Sequence, residues 1–280
     1  MKFYSNISVI IISFKSQKSV IKIIKKIHKK INIIIIDNSM DKKLKKKLIK
    51  YKNVKLYFKN NIGYGAAVNY ARKKIKTKYF LLLNPDIKNY SNKLLYNFYL
   101  AALKLNNNFL SLGPNYYKIS NSKKKKLIVK QKNISGACMF LNTSSFDKLN
   151  GFDEKIFLYF EENDLCKRGN NMALYSYKLI DEYIKHNIGT SVEIKNKIEK
   201  DKLKKLTSWH FIWSKYYYFK KHYGLLVAQC IFMPIIMRCL IKILYYKIVD
   251  RKGKYKKYFI RLSAIKSSMM GEKSYYRIEI

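Results

Sequence analysis

Ser8-Val9-Ile10-Ile11-Ile12-Ser13 is an unbroken β-branched run closed at each end by serine. A run that is apolar at every position, rather than at alternate ones, marks a strand buried on both faces. Helical spacing follows it, with Val20, Ile23, Ile24 and Ile27 on one face. The same unit then recurs. Ile31 to Ile36 reads as a second buried strand ending at Asp37-Asn38-Ser39, and a Lys-rich helix is predicted at about 41–51. Val54 to Phe58 is a third strand. Asn60-Asn61-Ile62-Gly63-Tyr64-Gly65 turns into a helix predicted at about 65–76. Tyr79 to Leu83 is a fourth strand, ending at Asn84-Pro85-Asp86. The alternation predicts an α/β fold with a parallel sheet. Such sheets bind ligands at the carboxyl ends of their strands. The polar residues gather there: Ser13, Asp37, Asn38, Asn61, Gly63, Asn84 and Asp86.

Beyond Asp86 the rhythm changes. A helix is predicted at about 91–106, then short strands near 109–119 and 127–142, separated by a Lys-rich turn at Ser120 to Lys126. Gly136 reads as a close-approach glycine at the entry to one of these strands. Gly151-Phe152-Asp153-Glu154 follows a short helix. The acidic segment Glu161, Glu162, Asp164 comes next, then a strand predicted at about 173–178 and His186 in a loop past a second short strand. A long aromatic, Lys-rich helix is predicted at about 193–221. Leu225 to Val249 is the most apolar long stretch, but Gln229, Pro234, Arg238 and Lys242 interrupt it. Its uninterrupted run reads as too short for a membrane span, so an in-plane amphipathic helix is expected, with a packed helical hairpin as the alternative. No internal repeat is present.

The chain has 280 residues and a formal net charge of +42, from 59 Lys plus Arg against 17 Asp plus Glu. With 48% hydrophobic residues it can build a core, and 10 Gly and 3 Pro exclude collagen-like and Pro-rich classes. The charge is almost all lysine. There are 53 Lys and 6 Arg, and Lys, Ile (37), Tyr (25) and Asn (24) make up half the chain. All four have AT-rich codons, so compositional bias accounts for most of the charge. Nucleic-acid readers rely on the arginine fork, so no nucleic-acid partner is expected. An anionic membrane surface remains compatible. Cys138, Cys166, Cys230 and Cys239 contain no CxxC pair, which argues against a zinc site or a disulfide framework and for a reducing compartment. Ile7 to Ile12 is only of strand length, so no signal peptide is expected.

Three groups can carry chemistry. Asp86 at a strand end is suited to a hard divalent cation, with Asn84 as a neutral oxygen; a simple turn cap is the alternative. Glu161, Glu162 and Asp164 crowd three carboxylates into four residues. Mutual repulsion raises at least one pKa, which suits a general base; a helix N-terminus would also favour them. His186 gains weight only beside such groups.

Taken in order, these motifs resemble the family 2 glycosyltransferases, in particular the bacterial rhamnosyltransferase-like branch. The resemblance rests on Ser8 to Ser13, Asp37-Asn38-Ser39, Asn61 to Asn69, Leu83 to Asp86, Ser135-Gly136-Ala137, Gly151 to Glu154, Phe157 to Arg168 and His186 to Ser191, and it covers about residues 7–192. It implies a GT-A fold, a Rossmann-like mixed sheet with helices on both faces, in a domain over 1–205. Residues 206–280 would form a helical, membrane-associating region. Asp37 would contact the nucleotide base, beside Ser13 and Asn38. Asn61, Gly63 and Asn69 would shape the nucleotide and sugar pocket. Asn84 and Asp86 stand at the family's metal motif, so Asp86 with His186 would hold Mg²⁺ or Mn²⁺. Glu162 stands where the family usually has its catalytic Asp, and Glu161 or Asp164 could share the role. The implied activity is inverting sugar transfer from an NDP-sugar, with dTDP-rhamnose as a candidate donor, to a lipid-linked or surface-polysaccharide acceptor. The implied place is the inner face of the cytoplasmic membrane. The alternatives are another sugar-nucleotide-binding or nucleotidyltransferase-like α/β enzyme, or a basic nucleic-acid-binding protein.

Overall fold

The computed structural model of the chain describes residues 3–117, 127–187, 192–194 and 196–277. The Lys-rich turn expected at 120–126 and Gly189-Thr190-Ser191 lie outside them. The described residues divide into two compact units: Met1–Asp153 with Glu162–Glu193, and Glu154–Glu161 with Ile194–Ile280.

In the first unit β1 (Ile7–Ser13) leads through α1 (Gln17–Ile24) to β2 (Asn32–Asp37), then α2 (Lys42–Leu48), β3 (Val54–Phe58), α3 (Tyr64–Arg72) and β4 (Tyr79–Leu83). β1 pairs in parallel with β2 and β4, and β2 with β3. The chain therefore winds outward from β1 to β3 and returns across β1 to β4. That reversal opens a crevice at the carboxyl ends of β1 and β4. The apolar runs are explained by burial on both faces. Val9, Ile11, Ile33, Ile35, Leu81 and Leu83 face one core, which α1 and α2 cover with Val20, Ile24, Leu44 and Leu48. Their neighbours Ile10, Ile34, Ile36, Phe80 and Leu82 face a second core under Ala67, Val68 and Ala71 of α3. Because side chains alternate with period 2, a one-residue slip would exchange the two cores.

α2 is shorter than the helix expected at 41–51. Only its Leu44 and Leu48 are buried, while the Asp41 side chain fixes its start by accepting from the Lys43 and Leu44 amides. α4 (Asn92–Lys104) is capped by Ser91 in the same way.

The rest of the sheet is mixed. β5 (Ser111–Asn115), β6 (Ile128–Gln131), β7 (Cys138–Asn142) and β8 (Ser176–Tyr183) complete the order β3-β2-β1-β4-β7-β5-β8-β6. β7 lies antiparallel between β4 and β5, and β5 is parallel to β8. α5 (Thr143–Lys148) and α6 (Glu161–Asn171) lie between β7 and β8 in the chain. The strand expected at 173–178 starts later, because the turn that ends α6 occupies the intervening residues. Met172 and Leu174 amides bond the Gly169 carbonyl, and Ala173 has φ 57°. Two short strands were expected before His186; there is one, and His186 itself forms a bridge with Ile87. At Gly136 an added Cβ would meet the Tyr64 ring at 3.8 Å, an ordinary contact, so no close approach demands that glycine.

The second unit is helical: α7 (Lys197–Tyr223), α8 (Leu225–Ile248) and α9 (Lys252–Met269). Asn196 caps α7 through the Glu199 amide, and Gly224, at φ 88°, turns the chain directly into α8. The boundary drawn at 205/206 falls inside α7. Trp209, Trp213 and Tyr216 of α7 pack with Ala228 and Phe232 of α8 and Ala264 and Ile265 of α9. α8 is a continuous helix through Pro234. Its 24 residues match the apolar stretch read at 225–249, and by length and composition alone it is long and apolar enough to cross a membrane, where the sequence reading expected an in-plane helix. Most of it is exposed.

Candidate active site

The first unit brings the polar ends of β1, β2 and β4 to the crevice. Ser13, buried at the end of β1, bonds Ser16 through their hydroxyls at 3.0 Å. Asn38, just past β2, donates from Nδ2 to the Gly63 carbonyl at 3.1 Å, while its Oδ1 is buried with no hydrogen-bond partner. Its carbonyl accepts the Asn61 amide, and Asn61 takes φ 24°. Gly63, at φ 92°, is the residue from which α3 starts. The left-handed backbone at Gly63 lets the loop turn straight into the helix.

Tyr64, which follows, ties three segments together. Its hydroxyl donates to the Gly136 carbonyl at 2.9 Å and lies 3.3 Å from Asn84 Oδ1 at the end of β4. The Asn84 amide in turn bonds the Ala137 carbonyl at 2.8 Å. Gly136 also reaches Glu162, the second residue of α6, through its backbone N–H. Burial drives the Glu162 pKa upward, and the Gly136 and Glu162 amides oppose that rise by stabilising the carboxylate. A carboxyl group held this way is poised to accept a proton. Tyr116 neighbours both ends of the site. Its ring lies 6.2 Å from that of His186, and its hydroxyl, pushed to a higher pKa mainly by burial, feels the Glu162 charge.

Asp86 and His186 meet beside Asn84. Asp86 Oδ1 is buried and lies 3.2 Å from His186 Nε2, yet it receives no hydrogen bond of good geometry. The Ile87–His186 bridge and the Lys88 amide on the Lys185 carbonyl hold the two side chains in register.

Three expected site residues have other partners. Both ends of the Asn69 amide bond the Phe152 backbone, each at 2.9 Å. Gly151, at φ 68°, has no room for a side chain there, since a Cβ would sit 2.5 Å from Asn69 Oδ1. Asp164 is fully buried, and its Oδ2 takes Arg168 Nε at 2.8 Å; that guanidinium also donates to the Leu149 and Gly151 carbonyls. Gly151-Phe152 is therefore an architectural corner. Asp37 spends both carboxylate oxygens on its own turn, accepting from Ser39 Oγ at 2.7 Å and from the Asp41 amide at 2.6 Å. Glu161, buried, opens α6. Sequence reasoning missed Tyr64 and Tyr116 as site residues. Tyr64 lay inside a quoted motif, but its contacts are 20 and 72 residues away.

Residues 8–184 match the model of glycosyl transferase family 2. The chain belongs to that family. No curated protein matches it in sequence. Among solved structures, this family 2 chain is similar to a mannosyltransferase, PcManGT, from Pyrobaculum calidifontis in complex with GDP-Man and Mn²⁺. The TM-score is 0.58 at 10% identity, covering 96% of this chain and 88% of that one. GalNAc-T7 with UDP, GalNAc and Mn²⁺ gives 0.57 at 13% identity, over 78% of this chain and half of that one. S. aureus TarS 1-349 gives 0.51 at 14% identity, over 98% and 94%. At these identities the likeness establishes the GT-A fold.

The family 2 chain passes a test of fit for a divalent cation. Two ligands at about 2.1 Å from one octahedral ion, set at right angles, lie about 3 Å apart. The Asp86–His186 separation of 3.2 Å and the unsatisfied Oδ1 agree with that spacing. Among the described residues no group of three or more His, Cys, Asp or Glu could form a closed metal cage. An ion here would keep positions open for phosphate oxygens and water.

Proposed function

We propose that the protein is an inverting, metal-dependent glycosyltransferase that takes a sugar from an NDP-sugar. The observation that carries this reading is the convergence of a proton-accepting Glu162 with the Asp86–His186 pair through Tyr64, Asn84 and Gly136. The acceptor hydroxyl oxygen attacks the anomeric carbon, and its proton passes to Glu162. The bond from that carbon to the diphosphate oxygen breaks, and its electron pair leaves with the diphosphate. Displacement by one nucleophile with one base inverts the anomeric centre. Asp86 and His186 would hold Mg²⁺ or Mn²⁺, which when bound neutralises charge on the diphosphate. Asn38 Oδ1, buried and unsatisfied, is available to a donor group of the nucleotide.

The finer reading is a rhamnosyltransferase-like enzyme using dTDP-rhamnose, acting on a lipid-linked or surface-polysaccharide acceptor at the inner face of the cytoplasmic membrane. Its support is the ordered motif set and the exposed apolar face of α8 with its flanking Lys and Arg. A thermal-shift screen of NDP-sugars with and without Mn²⁺ tests the donor. The expected result is a metal-dependent stabilisation by one nucleotide class that Asp86→Asn removes and Glu162→Gln retains, while Glu162→Gln loses transfer. Undiminished transfer by Glu162→Gln would overturn the base assignment. For the membrane, deleting α8 would also strip Ala228 and Phe232 from the helical core, so point changes are better. Leu240→Asp with Leu244→Asp, both on exposed positions, should shift the protein from the membrane pellet to the soluble fraction.

A further inference from the structure

A cavity of about 340 Å³ opens within the helical unit, lined by Ser208 and Phe211 of α7, Pro234 and Arg238 of α8, and Tyr258 and Arg261 of α9. Two of the chain's 6 arginines meet there, in a sequence that writes lysine 53 times. At three of the other four, exposed Arg251 being the exception, arginine stands where lysine could not do the same job. Arg72 forks onto both carboxylate oxygens of Asp147. Arg168 spans Asp164 and two carbonyls. Arg277 lies over the Phe157 ring at 3.5 Å and bonds the Ser274 and Tyr276 carbonyls. Arg238 and Arg261 make no fork onto a carboxylate, and Arg261 has the Tyr258 ring, 6.0 Å from its guanidinium carbon, beside it. Among the described residues no carboxylate pairs with either, and the polar contact shown for them is Arg261 Nε with Ser208 Oγ at 3.5 Å. Both guanidiniums act on the buried Cys239 thiol. Burial pushes its pKa up, and the two positive charges pull it back. Two like charges lining one cavity favour an anion there, and paired guanidinium forks match the oxygens of a phosphate.

The surroundings indicate what carries that phosphate. Met233, Met237, Leu240, Ile241, Leu244 and Ile248 form an exposed apolar stripe at helical spacing along α8, running past Arg238. We propose that Arg238 and Arg261 bind the phosphate of an anionic lipid whose hydrocarbon chain lies along that stripe. The inference rests on the membrane-face reading above and adds a specific headgroup site to it.

The test is vesicle flotation of the full chain with phosphatidylglycerol vesicles, with phosphatidylcholine vesicles, and with inorganic phosphate as a soluble competitor. The decisive variant is Arg238→Lys with Arg261→Lys. It keeps the net charge, and therefore the bulk attraction to the surface, but removes the forks. The expected result is affinity for phosphatidylglycerol vesicles about tenfold weaker than wild type, with an unchanged melting temperature. Should the double variant melt early, Arg238→Lys alone, at an exposed position, replaces it. Equal flotation of wild type and variant would assign binding to the lysines and overturn the phosphate site, while leaving the membrane reading intact. Failure of wild type to float with either vesicle would overturn both. Stabilisation by millimolar inorganic phosphate that depends on the arginines, without any preference between the vesicles, would identify a soluble anion and overturn the lipid.

Discussion

Replacing Arg168 by methionine distinguishes chemical from architectural acids in the α6 cluster. Asp164 is wholly buried, and Arg168, with its side chain 22% exposed, is its partner at 2.8 Å. The same guanidinium closes the Leu149 and Gly151 carbonyls. Methionine keeps most of the side-chain volume but leaves a buried carboxylate without its cation and two carbonyls without their donor. Breaking a buried pair from one side costs about 3–5 kcal/mol. The lost carbonyl bonds overlap with that figure rather than adding to it in full, so roughly 4 kcal/mol is expected. For a unit in the 150–250-residue range this lowers the melting temperature by roughly 8–16 °C. Asp164→Asn should cost only about 1 kcal/mol, because the amide oxygen can still accept from Arg168 Nε. In the Arg168→Met background it should restore stability by removing the stranded charge. The assay is thermal denaturation of the four proteins of the cycle, together with transfer activity. Asp164→Asn should keep activity within about tenfold of wild type, since its oxygen faces Arg168. A melting temperature for Arg168→Met within 2 °C of wild type, or loss of transfer in a stably folded Asp164→Asn, would refute the reasoning.

Other consequences follow from the same structure. Because burial raises the Glu162 pKa, the acid limb of kcat/KM against pH should lie above the ordinary glutamate range; a limb at the ordinary position would remove that claim. Glu162→Gln should lose about 10²–10⁴-fold in transfer. His210, fully buried between Ser274 Oγ and the Tyr276 carbonyl, has its pKa lowered to about 4, chiefly by burial. The unfolded chain binds that proton at a higher pH, so the stability is fully present above about pH 6.5 and is lost as pH falls toward 4, by at most about 3 kcal/mol. Denaturant midpoints across that range should therefore fall more steeply for wild type than for His210→Gln. Asn69→Ala should cost about 2–4 kcal/mol, since it strands both the N–H and the carbonyl of the buried Phe152; a neutral effect would show that Gly151-Phe152 holds its shape without the clamp.

Much of the parallel half of the fold was legible in the sequence. Ile10, Ile34 and Leu82 could be placed in strands because a double-sided buried strand admits only apolar residues, and β3 and β4 occupy the residues expected. The polar residues closing each run were legible too, because the apolar runs stop where β1, β2 and β4 end, at Ser13, Asp37 and Leu83. The antiparallel insertion of β7 between β4 and β5 was not legible, because strand order depends on pairings between segments tens of residues apart. The extent of α8 was legible as the apolar stretch at 225–249, since Arg238 and Lys242 interrupt the apolar run in sequence without interrupting the helix.

By itself the sequence determined the kinds of side chain available at each strand end and the order in which they appear. It offered Asp37 and Asn69 for the nucleotide-sugar, Asp86 for a metal, and Glu162, with Glu161 or Asp164, for the base. The tertiary structure shows what each of them bonds. Asp37 turns back on its own loop, Asn69 grips Phe152, and Asp164 is neutralised by Arg168. Glu162 is left with amide donors and a desolvated carboxyl group, and Asp86 with an unsatisfied oxygen facing His186. The physical reason is that a carboxylate's chemistry depends on what satisfies it. Asp37 and Asp164 find theirs within four residues, whereas Asn69, Asp86 and Glu162 meet Phe152, His186 and Gly136, which no local pattern records.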